Sequence, residues 1–226
     1  MKSIDEICVI IQARLGSQRV PQKMIKPFAG TTLMDIALKK IKECKSFPIK
    51  NFYVSVYEQE LAYIAEAHGL NIFARSRESA QSEGKPLSQM YEWWDKLPYK
   101  YCVLINACAP FLTPDTIDGF FESYLNSPHD GMFGVISKKN YFWDKSGKMI
   151  TKLPAGSMNT KFVETTYEAA HCLYAGRMDL IGEGVWMGDF TKNNPDLYPL
   201  EEKEVLDIDY PWQFDMCESL YNGRGQ

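Results

Sequence analysis

The chain has no hydrophobic run long enough to cross a membrane or to form a signal-peptide core. Its longest early apolar run, residues 7–11, is only five residues. It also has no excess of positive charge. Lys and Arg total 25 against 29 Asp and Glu, a formal net charge of −4 with a pI near 5.5, which argues against nucleic acid or an anionic membrane as partner. The six cysteines contain no CxxC pair and no ladder of close spacings. They predict small core residues of a reduced, cytoplasmic protein and argue against a disulfide framework or zinc site. No repeat and no low-complexity tract is present. What the sequence does have is an apolar fraction of 45% with 24% charged residues, enough to bury a core and too much to leave the chain disordered. The length predicts one large domain over residues 1–226.

The first 136 residues alternate two textures. Short β-branched runs (ICVII at 7–11, FYVSV at 52–56, YCVLI at 101–105, MFGVI at 132–136) are separated by segments of helical period at 31–45, 59–68, 87–97 and 114–125. Gly69 stands where a helix stops, and Thr113-Pro114 reads as an N-cap followed by proline at the first helical position. Such alternation, with continuously apolar strands, predicts an α/β fold whose mostly parallel sheet is covered on both faces. Beyond residue 136 the pattern changes. Residues 137–164 carry six lysines against two carboxylates, with Tyr141, Phe142 and Trp143 and a Lys-Ser-Gly turn, and predict a hairpin excursion. Strand texture returns at 170–175 and 198–206, and residues 209–221 read as the closing helix. Residues 178–218 hold eleven carboxylates against two lysines, the texture of a solvated face or of a cation site.

The most informative stretch is IIQARLGSQRVPQK, residues 10–23. A buried strand ends at Gln12, and the chain runs through Gly16-Ser17 with Arg14, Arg19 and Lys23. In an open parallel sheet, ligands sit beyond the carboxyl ends of the strands. Gly16 lets backbone N–H groups approach an anion, and three spaced cations suit a triphosphate. The pattern is neither GxGxxG nor a Walker loop, so dinucleotide and P-loop readings fail; a merely basic surface loop is the alternative.

These residues resemble the opening signature of the sugar-acid cytidylyltransferases, the family of the CMP-sialic acid synthetases. Further matches follow in order: FARSRESAQSEG at 73–84, LINACAPFLTPDTI at 104–117, TTYEAAHCLYA at 165–175 and VLDIDYPWQFD at 205–215. The resemblance implies a three-layer α/β/α nucleotidyltransferase that joins CTP to a sugar acid and releases pyrophosphate, acting as a homodimer through an arm at 138–164. It places Ala13, Arg14, Gly16, Ser17, Arg19, Lys23, Arg75 and Ser82 on the nucleotide, with Arg75 ahead of Arg77. Lys23 is then the cation at the α-phosphate, with Arg14 and Asp209 completing the catalytic set. Asn106, Tyr167 and His171 fall on the acceptor side, although His171 on a buried strand also suits a satisfied core histidine. Met24, Gln213 and Asn106-Ala107-Cys108 depart from the family pattern.

Asp207 and Asp209 alternate at a predicted strand end and therefore point to one side, where they suit Mg²⁺ with phosphate oxygens completing its shell. They match the family's metal pair. The alternative is a turn in which Asp209 caps the helix that begins at Pro211. Three rival functions remain: transfer to another acceptor such as an octulosonate, a phosphonate or a sugar phosphate; a DxD glycosyltransferase; and a non-catalytic nucleotide sensor. The DxD motif lies late in the chain for a glycosyltransferase, and the retained Arg14, Lys23 and aspartates argue against a sensor.

Overall fold

The β-branched runs of the first half become the strands of one sheet, seen in a computed structural model that describes residues 2–81, 84–153, 156, 158–188, 190 and 194–223. The strands are β1 (Ile7–Gln12), β2 (Pro27–Phe28), β3 (Thr31–Thr32), β4 (Phe52–Val56), β5 (Asn71–Ala74), β6 (Tyr101–Ile105), β7 (Met132–Lys138), β8 (Thr166–Arg177) and β9 (Asp196–Leu200). The helices are α1 (Leu33–Glu43), α2 (Gln59–Ala67), α3 (Arg77–Gln81), α4 (Leu87–Met90), α5 (Pro114–Asn126), α6 (Met178–Gly182) and α7 (Pro211–Asn222). Seven strands form a sheet in the order β5-β4-β1-β6-β8-β7-β9, and β2 and β3 make a separate small ribbon. β5, β4, β1 and β6 are parallel neighbours, β9 is parallel to β7, and β8 alone runs antiparallel to both strands beside it.

Strand periodicity explains why both faces are covered. Side chains alternate across β1, so Ile7, Val9 and Ile11 enter one core with α1, α2, α5 and α7, while Cys8 and Ile10 enter a second core with Trp93, Met178 and Ile181. The predicted three layers follow from that division. Thr32 caps α1 by accepting from the Asp35 N–H at 3.1 Å, and Thr113 caps α5 with Pro114 at its first position. Gly69 takes φ +70°, the left-handed conformation expected after a helix stop.

Three local expectations change. The helix predicted over 87–97 breaks into α4 and a 3-10 turn at Glu92–Trp94, because Tyr91 leaves helical geometry (φ −114°, ψ 45°). That break lets Trp93 enter the core and donate from its indole to Gln12 Oε1 at 3.0 Å. The strand predicted over 198–206 ends at Leu200. Glu204 then accepts from the Thr116 hydroxyl at 2.6 Å, bending the chain toward the start of α5. Of the excursion predicted over 137–164, residues 137 and 138 still belong to β7 and the chain leaves the sheet from 139; among the described residues its regular pairing is a single bridge, Trp143 to Met149, around a turn held by Asp144. Within the excursion Val163 is buried, but several of the larger apolar side chains are uncovered, with Trp143 54%, Met158 74% and Phe162 64% exposed.

Candidate active site

The loop after β1 crosses the carboxyl end of the sheet and is held from beneath. Ala13 N–H continues the ladder to Ser55 O at 3.1 Å, and Arg75 donates from Nη2 to Ala13 O at 2.5 Å. Glu58 accepts the Leu15 N–H at 2.9 Å, and Arg14 donates to Ala80 O at 3.2 Å. Four segments thus fix one loop, and three of the contacts are charge-assisted, the stronger kind of hydrogen bond. Arg75 is 4% exposed, and burial lowers its guanidinium pKa to about 10. It lies under the loop, and Arg77 on α3 lines the cleft in its place. The order expected for the two arginines is therefore reversed. Arg75 N–H bonds Val56 O at 3.0 Å, which prolongs the β5 ladder and turns the side chain inward.

Above the loop lies a cleft of about 940 Å³, lined by Ala13, Arg14, Gly16, Ser17, Arg19, Lys23, Arg77 and Lys85. All of the nucleotide residues expected on the first loop are in this group. A Cβ added at Gly16 would meet nothing within 4 Å, so the glycine leaves open space on the cleft side without being required for packing. Ser82 lies outside the described residues. Lys23 is 8% exposed and donates from Nζ to Ile208 O, a contact that draws the first loop against the closing segment. Its nitrogen lies 3.7 Å from Asp209 Oδ1, and Arg19 Nη2 lies 2.8 Å from the same oxygen.

Asp209 does not cap α7. Gln213 closes the helix entry, its side-chain oxygen accepting from the N–H groups of Asp209 and Tyr210 at 2.7 and 2.8 Å. The departure at Gln213 is thus a capping residue, and the Asp209 carboxylate is left to the loop cations. Between the aspartates, Ile208 is fully buried and its N–H bonds Cys108 O at 3.2 Å. Both aspartates line one hollow, from an irregular segment and not from the strand end predicted. Asp207 Oδ1 is buried without a hydrogen-bond partner, and burial, then Asp209, raises its pKa above the usual carboxylate value.

A second hollow of about 440 Å³ adjoins the cleft and shares Gln12 and Asp209 with it. Asn106, His171 and Asp207 line it, together with the aromatic residues Tyr91, Tyr174 and Trp186, which the sequence did not single out. His171 sits where the pairing of β7 with β8 slips between Phe133 and Val135, and it takes φ +54°. Left-handed geometry in a non-glycine residue is strained and clusters at functional sites. Its Nδ1 is 2.8 Å from the Tyr174 hydroxyl, and Asn106 donates to His171 O at 2.9 Å. His171 is exposed at the hollow, so it is not a core histidine. Tyr167, expected beside it, pairs with Ser137 nearer the excursion and lines neither cavity, because the slip separates it from His171.

A family model described as Cytidylyltransferase matches residues 8–174. The chain is 25% identical over 215 residues to N-acylneuraminate cytidylyltransferase A of Danio rerio, covering 91% of this chain and 49% of that protein. It is 23% identical over 248 residues to the spore coat polysaccharide biosynthesis protein SpsF of Bacillus subtilis (strain 168), covering 99% of this chain and 89% of that one. The chain thus spans about half the length of the first relative and most of the second. Among solved structures, CMP:2-keto-3-deoxy-manno-octonic acid synthetase complexed with CTP superposes with a TM-score of 0.67 at 10% identity, covering 97% of this chain and 99% of that chain. That likeness is one of fold.

Proposed function

Because the chain belongs to the cytidylyltransferase family, we propose that it transfers a cytidylyl group from CTP to a sialic-acid-like nonulosonic acid and releases pyrophosphate. The product would serve synthesis of a surface polysaccharide or glycoconjugate. The observation that carries the reading is the junction of the two cavities: a cation-lined cleft meets an aromatic hollow at Gln12 and Asp209. The triphosphate lies along Arg14, Ser17 and Arg19, and the acceptor enters the hollow between Asn106, His171 and the aromatic wall. Its hydroxyl oxygen then faces the α-phosphate in line with the departing pyrophosphate. Lys23, buried at the junction, stabilises charge on the α-phosphate as the bond forms. The Tyr174 hydroxyl engages His171 Nδ1 and orients the ring, so Nε2 is the nitrogen that remains for the acceptor. The names of the Danio rerio relative and of the octonic acid synthetase support a sugar-acid acceptor.

Asp207 and Asp209 would hold Mg²⁺. The buried, unpartnered Asp207 Oδ1 fits a hard cation that takes oxygen ligands. With no third carboxylate, cysteine or histidine grouped among the described residues, phosphate oxygens and water would complete the shell. When bound, the ion neutralises charge on the pyrophosphate.

Among the described residues no lysine or arginine lines the hollow, and a carboxylate acceptor would be served by a cation from elsewhere. The lysine-rich excursion of a second copy would provide one, and pairing in a homodimer would cover its exposed aromatics. The cysteine pattern supports the cytoplasmic location proposed here; among the described residues no helix is long and apolar enough to cross a membrane.

The test is a pyrophosphate-release screen crossing four nucleotides with sialic, legionaminic, pseudaminic and octulosonic acids. Release with CTP and a nine-carbon acid is expected. Release only with octulosonate would shift the acceptor, and no release with any pair would overturn the reading.

A further inference from the structure

Asp209 has two side-chain cations against it. Lys23 and Arg19 both face its Oδ1 atom, at 3.7 and 2.8 Å, yet they differ in freedom. The Lys23 side chain is 10% exposed and tied to Ile208 O, whereas the Arg19 side chain is 52% exposed. Arg19 is steadied from the side by Tyr210, whose ring centroid lies 5.0 Å from the guanidinium carbon. Tyr210 immediately precedes α7, and Gln213 fixes its N–H, so the ring has a firm base. Arg19 and Ser17 line the same cleft, which puts the guanidinium within reach of a triphosphate.

We propose that Arg19 is a latch on Asp209 that an arriving triphosphate releases, and that Tyr210 is its positioning residue. The guanidinium occupies the carboxylate that a divalent cation would use. A triphosphate, with several negative charges against one, draws the guanidinium onto its own oxygens and frees Asp209. Cation and nucleotide affinities are thereby coupled through one side chain, and the coupling is reciprocal. The arrangement keeps a bare metal ion from filling the site ahead of the nucleotide. It rests on Asp209 being a cation ligand of the transferase proposed above.

The test is Mn²⁺ binding to the nucleotide-free protein, followed by the paramagnetic resonance of free Mn²⁺, which needs no turnover. The pair is exposed and screened by water, so Arg19→Gln should bind Mn²⁺ only roughly fivefold more tightly than wild type. Tyr210→Ala should give part of that gain, with Arg19 still present. The gain should vanish in Arg19→Gln/Asp209→Asn, which places the ion on Asp209. An affinity unchanged in Arg19→Gln, or a gain that survives Asp209→Asn, overturns the latch. Pyrophosphate release by the wild type is scored separately, so failure of the transferase reading is distinguishable from failure of the latch.

Discussion

Replacing Lys23 by alanine separates transition-state stabilisation from simple docking. The amine is buried at the meeting point of the two cavities, bonded to Ile208 O and close to Asp209. One unit charge about 4 Å from a phosphate charge is worth about 4 kcal/mol at an effective dielectric of about 20. If roughly half of that appears only as charge builds on the α-phosphate, turnover falls by about 2 kcal/mol, or about thirtyfold. The folded protein also loses a buried charge-assisted hydrogen bond and leaves a carbonyl unsatisfied, about 2 kcal/mol, or about 4–8 °C in Tm for a chain of this size. Pyrophosphate release at saturating CTP, well below the lowered Tm, gives kcat, and calorimetry gives the Kd of CTP. A kcat within about threefold of wild type, with Kd raised by the whole expected factor, would make Lys23 a docking residue and refute the argument.

Burial followed by Asp209 raises the Asp207 pKa, so the folded state favours the neutral carboxyl and loses stability as pH rises through that raised value. Asp207→Asn removes the loss: nucleotide-free Tm should exceed wild type at pH 7, the two curves converging below the ordinary value of 3.8, and equal Tm at pH 7 would contradict this. Trp186→Ala should raise the acceptor KM about tenfold while leaving the CTP KM within about twofold, because the indole lines only the second hollow; a parallel change in both constants would deny the division of labour. Trp143→Glu should convert a dimer to a monomer at micromolar concentration in sedimentation, since it charges an exposed ring of the excursion; an unchanged sedimentation coefficient would place the interface elsewhere.

The first cleft was legible because its signals are local. A β-branched run that ends and is followed within eleven residues by Arg14, Arg19 and Lys23 states both the strand end and the cationic character of the cleft that these residues line. The two-residue spacing of Arg75 and Arg77 carried no such information. Their fates part only because the Arg75 N–H extends the β5 ladder, while Arg77 opens α3. The aromatic hollow was less legible still. Tyr91 comes from a broken helix, Tyr174 from β8 and Trp186 from beyond α6, and only the folded sheet brings them together. Asp207 and Asp209 were found by spacing, but their common place at one hollow comes with Ile208 anchored to Cys108, a contact about a hundred residues distant in sequence.

The reversed strand explains why acceptor and excursion belong to one structural unit. β1, β4 and β6 all end at the cleft, and their following loops supply Ala13, Glu58 and Asn106. β8 instead runs through this region: its residues 173–177 pair with β6, while 166–169 continue past β6 and pair with β7. His171 lies at the slip between these two halves, and the excursion at 138–164 begins where β7 ends. On the proposed reading the nucleotide would meet loops fixed from the sheet below, whereas the acceptor would meet a ribbon that continues into the exposed excursion. A shift of register in that ribbon would move His171 and the lysine-rich excursion together and leave Arg14 and Lys23 where they are. On the function proposed, acceptor choice could thus vary within this architecture without disturbing the cleft that would take the triphosphate.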